Sequence, residues 1–186
     1  PVACMVRGAL AQEIAQEARD FLLRVPHASA QNYLVGGPDG VFDLECSANQ
    51  IVPYQPHGRE GAVWHANVPL ASDDLIAWFR EAVEGQEENA FIRNNWTRFR
   101  SVERRLGQAP GGARLDLLKE TLASRDSGQD PICSVGDERE FFAGNGIYSF
   151  ASTVMKLSGE PELHVSFSPY DVSSYTRLRF TGGAAG

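Results

Sequence analysis

Apolar residues recur at intervals of three and four from the first positions of the chain. Val2, Met5, Val6, Leu10, Ile14, Ala18, Phe21 and Leu22 mark this spacing in PVACMVRGALAQEIAQEARDFLLRVP. It gathers them on one side of a 3.6-residue turn and predicts a single amphipathic helix. Pro1 fits the first turn, where its missing N–H costs nothing. An apolar helix starting so abruptly predicts a chain released by cleavage, or a fragment, with sequence upstream. From residue 31 the period falls to two. QNYLVGG and VFDLECS flank Pro38-Asp39-Gly40, a turn sequence, and predict a hairpin. On its second strand Phe42, Leu44 and Cys46 share one face, and Asp43, Glu45 and Ser47 the other. IVPYQ and AVWHAN predict two more strands, the latter setting Val63, His65 and Asn67 on one face and Ala62, Trp64 and Ala66 on the other.

The middle of the chain is helical in pattern. SDDLIAWFREAVEG opens on Ser72, Asp73 and Asp74, good capping and first-turn residues, and closes at Gly85. NWTRFRSVERRL carries a stripe of Trp96, Phe99, Val102 and Leu106, and ARLDLLKETLAS one of Leu115, Leu118 and Leu122. Arg93, Arg98, Arg100, Arg104 and Arg105 read as the solvated far side of such a helix rather than as an anion site. Strands return in DPICSVG, NGIYSFASTVMKL, ELHVSFSP and YTRLRF, separated by Gly144-Asn145-Gly146 and Ser158-Gly159-Glu160-Pro161. The tail at 181–186 reads as loose. Runs of strands and helices segregated in this way predict an α+β fold.

Composition narrows the partners. Seventeen basic against twenty-four acidic side chains give a net charge of -7, which argues against nucleic acid. No apolar run approaches the roughly 18 residues that span a bilayer, and no signal peptide opens the chain, so the sequence predicts a soluble protein without a membrane partner. Cys4, Cys46 and Cys133 cannot all pair, and they match neither a disulfide framework nor a metal knuckle. A reducing, cytoplasmic compartment follows as the expectation. The four histidines lack the spacing of a metal site, and no cofactor or metal is predicted. GxSxG, GxxxxGK[ST] and HExxH are all missing, and GGPDG is not followed by the helix a phosphate loop requires.

The order of the remaining segments carries more. ASAQNYLVGGPDGVFDLECSANQIVPY, WHANVPL, NNWTRFRSVERRL, DPICS and YSFASTVMKLSGEPELHVSFSPY follow one another. In this order the chain resembles the C-terminal part of the penicillin acyltransferase-like family, from about Pro1 to Phe180. That family comprises acyl-coenzyme A:6-aminopenicillanic-acid acyltransferases and related amide hydrolases, including the beta-alanyl-dopamine hydrolase type. The resemblance implies the four-layer αββα N-terminal-nucleophile fold in a single domain, completed by a segment outside this chain. It also implies autoproteolysis of a precursor before a cysteine, whose thiol and new α-amine then act on an amide through a thioester. That cysteine would lie upstream of Pro1, on a separate segment or second chain, and none of Cys4, Cys46 and Cys133 falls at its position.

The family's His-Thr-Asn segment matches His65-Ala66-Asn67, which implies Asn67 as the oxyanion-hole residue. Where the family commonly reads Ile-Cys-Arg, this chain has Ile132-Cys133-Ser134. The missing cation argues against a penicillin-like or coenzyme A substrate and for another small-molecule amide, with hydrolysis rather than acyl transfer as the default. Two other readings compete with this one. One is a binding or structural module, or fragment, that keeps the fold without activity. The other is a cysteine hydrolase pairing Cys46 or Cys133 with His65, which the apolar company of Cys46 disfavours.

Overall fold

One helix over residues 2–22 would leave Phe21 about 20 Å beyond Gly8 along its axis. In the computed structural model the run is instead two helices, α1 (Val2–Leu10) and α2 (Ala15–Arg24). They pack so closely that a Cβ on Gly8 would stand 2.2 Å from the Phe21 ring. The break falls at Ile14, whose backbone is extended (φ -131°, ψ 159°). The Asp39 carboxylate then accepts the first N–H groups of α2, from Ala15 at 3.0 Å and Gln16 at 2.8 Å. A cap from the distant hairpin thus overrides a helical period that runs unbroken in the sequence. The structure describes residues 2–55, 62–85, 88–107, 114–135, 148–167 and 171–179. Pro1, the Gly144-Asn145-Gly146 turn and the tail at 181–186 lie outside them.

The chain divides into two compact units, Pro1–Phe99 and Arg100–Gly186. In the first, the predicted hairpin forms from β1 (Gln31–Gly37) and β2 (Gly40–Cys46), paired from Gln31 with Cys46 to Gly37 with Gly40. β3 (Ile51–Tyr54) adds antiparallel to β2. Leu22 from α2 meets Tyr33, Leu44 and Cys46 of the sheet, with Met5, Phe21, Val35 and Ile51 around them. The opposite face of β2 carries Asp43 and Glu45, as the alternation requires; both are buried.

Residues 62–67 form no strand, and at Asn67 and beyond backbone donors are claimed by side chains instead of a partner strand. Asn67 N–H goes to Asn95 Oδ1, and the N–H groups of Leu70, Ala71 and Ser72 go to Glu45. Helix α3 (Ala77–Glu84) starts five residues later than Ser72. Ser72 and Asp73 accept from Gln50, and Asp74 accepts from Ser47 and Asn49, so the predicted caps anchor a loop. Gly85 ends α3 as expected. Helix α4 (Ala90–Leu106) begins earlier than its apolar stripe predicted, since Asn89 Oδ1 accepts from the N–H groups of Phe91 and Ile92.

In the second unit α5 (Leu115–Leu122) packs on a meander of β4 (Ala151–Lys156), β5 (Glu162–Phe167) and β6 (Thr176–Arg179). Gly159, at φ +69°, makes the turn between β4 and β5. Ser152, Val154, His164 and Ser166 are buried on one face, whereas Met155 and Phe167 on the other are 61% and 67% exposed. Of the predicted strand DPICSVG, residues 130–135 are described and are not a strand. Cys133 N–H bonds Ser124 O and Ser134 N–H bonds the Ser149 hydroxyl, which leaves no ladder to join. The architecture is α+β with two small antiparallel sheets. Among the described residues no helix is long and apolar enough to cross a membrane.

Leu22 is fully buried and Leu10 is 79% exposed. Leu22→Ala is therefore expected to cost roughly 2–5 kcal/mol in urea unfolding, and Leu10→Ala less than about 0.5 kcal/mol. Equal losses would contradict this core.

Candidate functional site

The acid-bearing face of β2 meets the segment that follows β3. Glu45 Oε1 lies 2.9 Å from His65 Nε2, with both side chains more than nine-tenths buried. The same carboxylate accepts N–H groups from Leu70 at 2.5 Å and Ser72 at 2.7 Å, and from Ala71 with both oxygens. His65 Nδ1 faces the Ala66 carbonyl oxygen. Both partners of the ring are acceptors, an arrangement that favours the doubly protonated ring. Burial pulls the His65 pKa down, but the hydrogen bonds to Glu45 and Ala66 and the charges of Asp43 and Glu45 outweigh it and hold the pKa above the ordinary value. Burial likewise raises Glu45, and His65 with the three loop N–H groups more than reverses this.

Asp43 stands two residues away on the same face, 2% exposed, with the Asn32 side chain beside it. Its pKa is raised to about 6, chiefly by burial; His65 and Asn32 oppose the shift and Glu45 adds to it.

Asn67 is exposed and borders a cavity of about 390 Å³ whose wall also includes Glu45, His65, Ser72 and Asp74. Its position is set by α4. Asn95, fully buried, takes Asn67 N–H on Oδ1 at 2.9 Å and donates its own amide to Phe91 O at 2.8 Å. Arg98 donates to Asn94, Asn95 and Asn67, the last through Nη2 to Oδ1 at 3.2 Å. The guanidinium thereby fixes which end of the Asn67 amide is which. With Oδ1 occupied, Nδ2 is the free donor, making no hydrogen bond to any described residue. A donor held in place before a carbonyl oxygen turns anionic is what acyl transfer uses.

Sequence reasoning placed His65 and Asn67 on one strand face. The structure brings both to one cavity from an irregular segment. It missed Arg98, which belongs to this network and not to a solvated surface, and Asn95. The sequence signal for them was the pair Asn94-Asn95 inside a helix that otherwise favours apolar and long side chains. Arg105, in the other unit, is also engaged, pairing with Asp126 through two nitrogens.

The cysteines divide as follows. Cys4 is exposed on α1 and Cys133 is fully buried in the second unit. Cys46 borders the cavity, but its side chain packs with Leu22, Tyr33 and Leu44. Burial, and secondarily the Asp43 charge, pushes its thiol up to about 11. That leaves a packed thiol whose setting disfavours it as a nucleophile for His65. Among the described residues no group of three or more His, Cys, Asp or Glu side chains is placed to hold a metal ion.

Set against family models, curated proteins and solved structures, the chain matches none.

The ionisable cluster has a definite pH signature. Glu45, lowered in the fold from 4.5, contributes stability above that value that is lost as pH falls through its folded pKa. His65, raised from 6.5, contributes stability below 6.5 that is lost as pH rises through its folded pKa. His65→Gln is thus expected to destabilise most near pH 5.5 and progressively less at alkaline pH, read by thermal unfolding. Asp43 has the opposite sign to Glu45: its folded pKa of about 6 lies above the unfolded 3.8, so it weakens the fold as pH rises between the two. Asp43→Asn should raise the Tm at pH 7.5 and leave it nearly unchanged at pH 3.5. A fall at pH 7.5 would show that His65 needs that carboxylate as a counter-ion.

Proposed function

We propose that this chain is the larger C-terminal part of a self-processed cysteine N-terminal-nucleophile amidohydrolase or acyltransferase, with Asn67 as its oxyanion donor. A thiolate on an upstream segment or second chain attacks the carbonyl carbon of a linear amide, and the carbonyl π electrons move onto oxygen, to which Asn67 Nδ2–H donates a hydrogen bond. The α-amine of the same cysteine takes the thiol proton and passes it to the departing amine as the C–N bond breaks. Water, or an acceptor amine, then attacks the thioester and releases the acyl group and the thiol. Hydrolysis is the default outcome.

The observation that carries the reading is the Asn67 amide, turned by Arg98 so that its N–H end is unspent at the edge of the cavity. Two antiparallel meanders, each backed by a helix, are in keeping with the four-layer αββα fold that the reading includes. None of the three cysteines presents a reactive thiol to the cavity, which is why the nucleophile is assigned to other polypeptide. The exposure of Asn67 favours a second reading, a binding module that keeps the fold without the chemistry.

Intact-mass spectrometry of the full-length protein with short N-acyl amides and thioesters decides between them. The expected result is an acyl adduct on an amino-terminal cysteine, formed about 100- to 1,000-fold more slowly in Asn67→Ala, the range for loss of one oxyanion donor. An unchanged rate would remove Asn67 from the mechanism. Ligand binding without any adduct would establish the binding module.

A further inference from the structure

The charges that border the cavity do not balance. Glu45 and His65 form a buried pair at 2.9 Å that adds no net positive charge to the wall. Asp74 remains on the wall. The Ser47 hydroxyl and the Asn49 amide donate to its carboxylate and hold its pKa below the ordinary value. Both donors are neutral, so they keep the group ionised without cancelling its charge. Arg80, whose charge acts on Asp74, is exposed and directs Nη2 to the backbone carbonyls of Asp73 and Leu75. Arg98 is bonded to the Oδ1 end of Asn67, opposite the donor, and is not part of the wall. The rest of the wall carries no charge, and combines apolar Val68, Pro69, Leu75 and Phe79 with polar Gln31, Asn32, Ser47 and Ser72.

We infer that the cavity takes neutral or cationic amides bearing an apolar acyl chain and rejects anionic ones. The inference rests on the amidase reading for what happens to the ligand, but not for its binding. A cavity of about 390 Å³ lies at the lower end of ligand-site volumes. An apolar chain lies along Val68, Leu75 and Phe79, the amide meets Asn67, and a positive group at the far end is drawn to Asp74. A carboxylate in that place faces like charge, on a chain that already carries a net charge of -7.

Three probes of nearly equal size isolate the charge: N-hexanoylputrescine, N-(4-hydroxybutyl)hexanamide and N-hexanoyl-β-alanine. Binding is read by calorimetry and by NMR shifts of the Asn67 side-chain amide. The cationic and neutral probes should bind, and the anionic probe about tenfold or more weakly than the cation, as expected for one carboxylate a few ångströms away in a wet cleft. Asp74→Asn should bring the three within about threefold of one another. Should that variant fold poorly, raising salt from about 0.05 to 0.5 M should narrow the gap in the unmodified protein. Equal affinity for cation and anion, a preference that survives both Asp74→Asn and salt, or no binding of any probe would overturn the inference. Binding that obeys the charge order without an acyl adduct would end the amidase reading and leave this one standing. Adducts formed only from anionic amides would do the reverse.

Discussion

One carboxylate organises the region around the cavity. Glu45 collects the imidazole ring of His65 and three successive backbone N–H groups, from Leu70, Ala71 and Ser72. A buried carboxylate is tolerable only when its lone pairs are met by donors, and here the donors come from both ends of an eight-residue stretch (65–72) with no regular secondary structure. The sheet therefore holds that stretch by a side chain where a strand partner would have held it by a ladder. Asn67 lies inside the loop so closed, and its remaining freedom is taken by Asn95 and Arg98 from α4.

The two faces of the first sheet divide the labour. Under α2, Tyr33, Leu44 and Cys46 build an apolar core with Leu22. On the reverse, Asp43 and Glu45 are equally buried, but their stabilities depend on protonation in opposite senses. The sequence Phe42-Asp43-Leu44-Glu45-Cys46 already contains this division, since alternate residues of a strand must face opposite ways.

Legibility followed the range of the interactions involved. The β1–β2 hairpin could be read because the turn residues and the alternation lie within a few positions of what they determine. The break between α1 and α2 could not, since Ala11, Gln12 and Glu13 are acceptable helix residues, and the interruption is set by Phe21 folding over Gly8 and by Asp39 from the hairpin. AVWHAN alternates like a strand, yet its neighbours' hydrogen bonds go to Asn95 and Glu45, some 20 to 30 positions away. Asn67 drew attention through resemblance, and His65 through its position beside it. The carboxylate and guanidinium that fix them looked, along the chain, like ordinary surface charge.

The Asp39 carboxylate joins a hairpin tip to the start of a helix more than twenty residues earlier. Turn length is consequently not a free parameter in this molecule. Loops at hairpin tips ordinarily accept inserted residues with little effect, but here an insertion that displaced Asp39 would unmoor α2 and, through Leu22, loosen the packing beneath the sheet. The tip is a fixed joint, and variation in related chains should accumulate elsewhere.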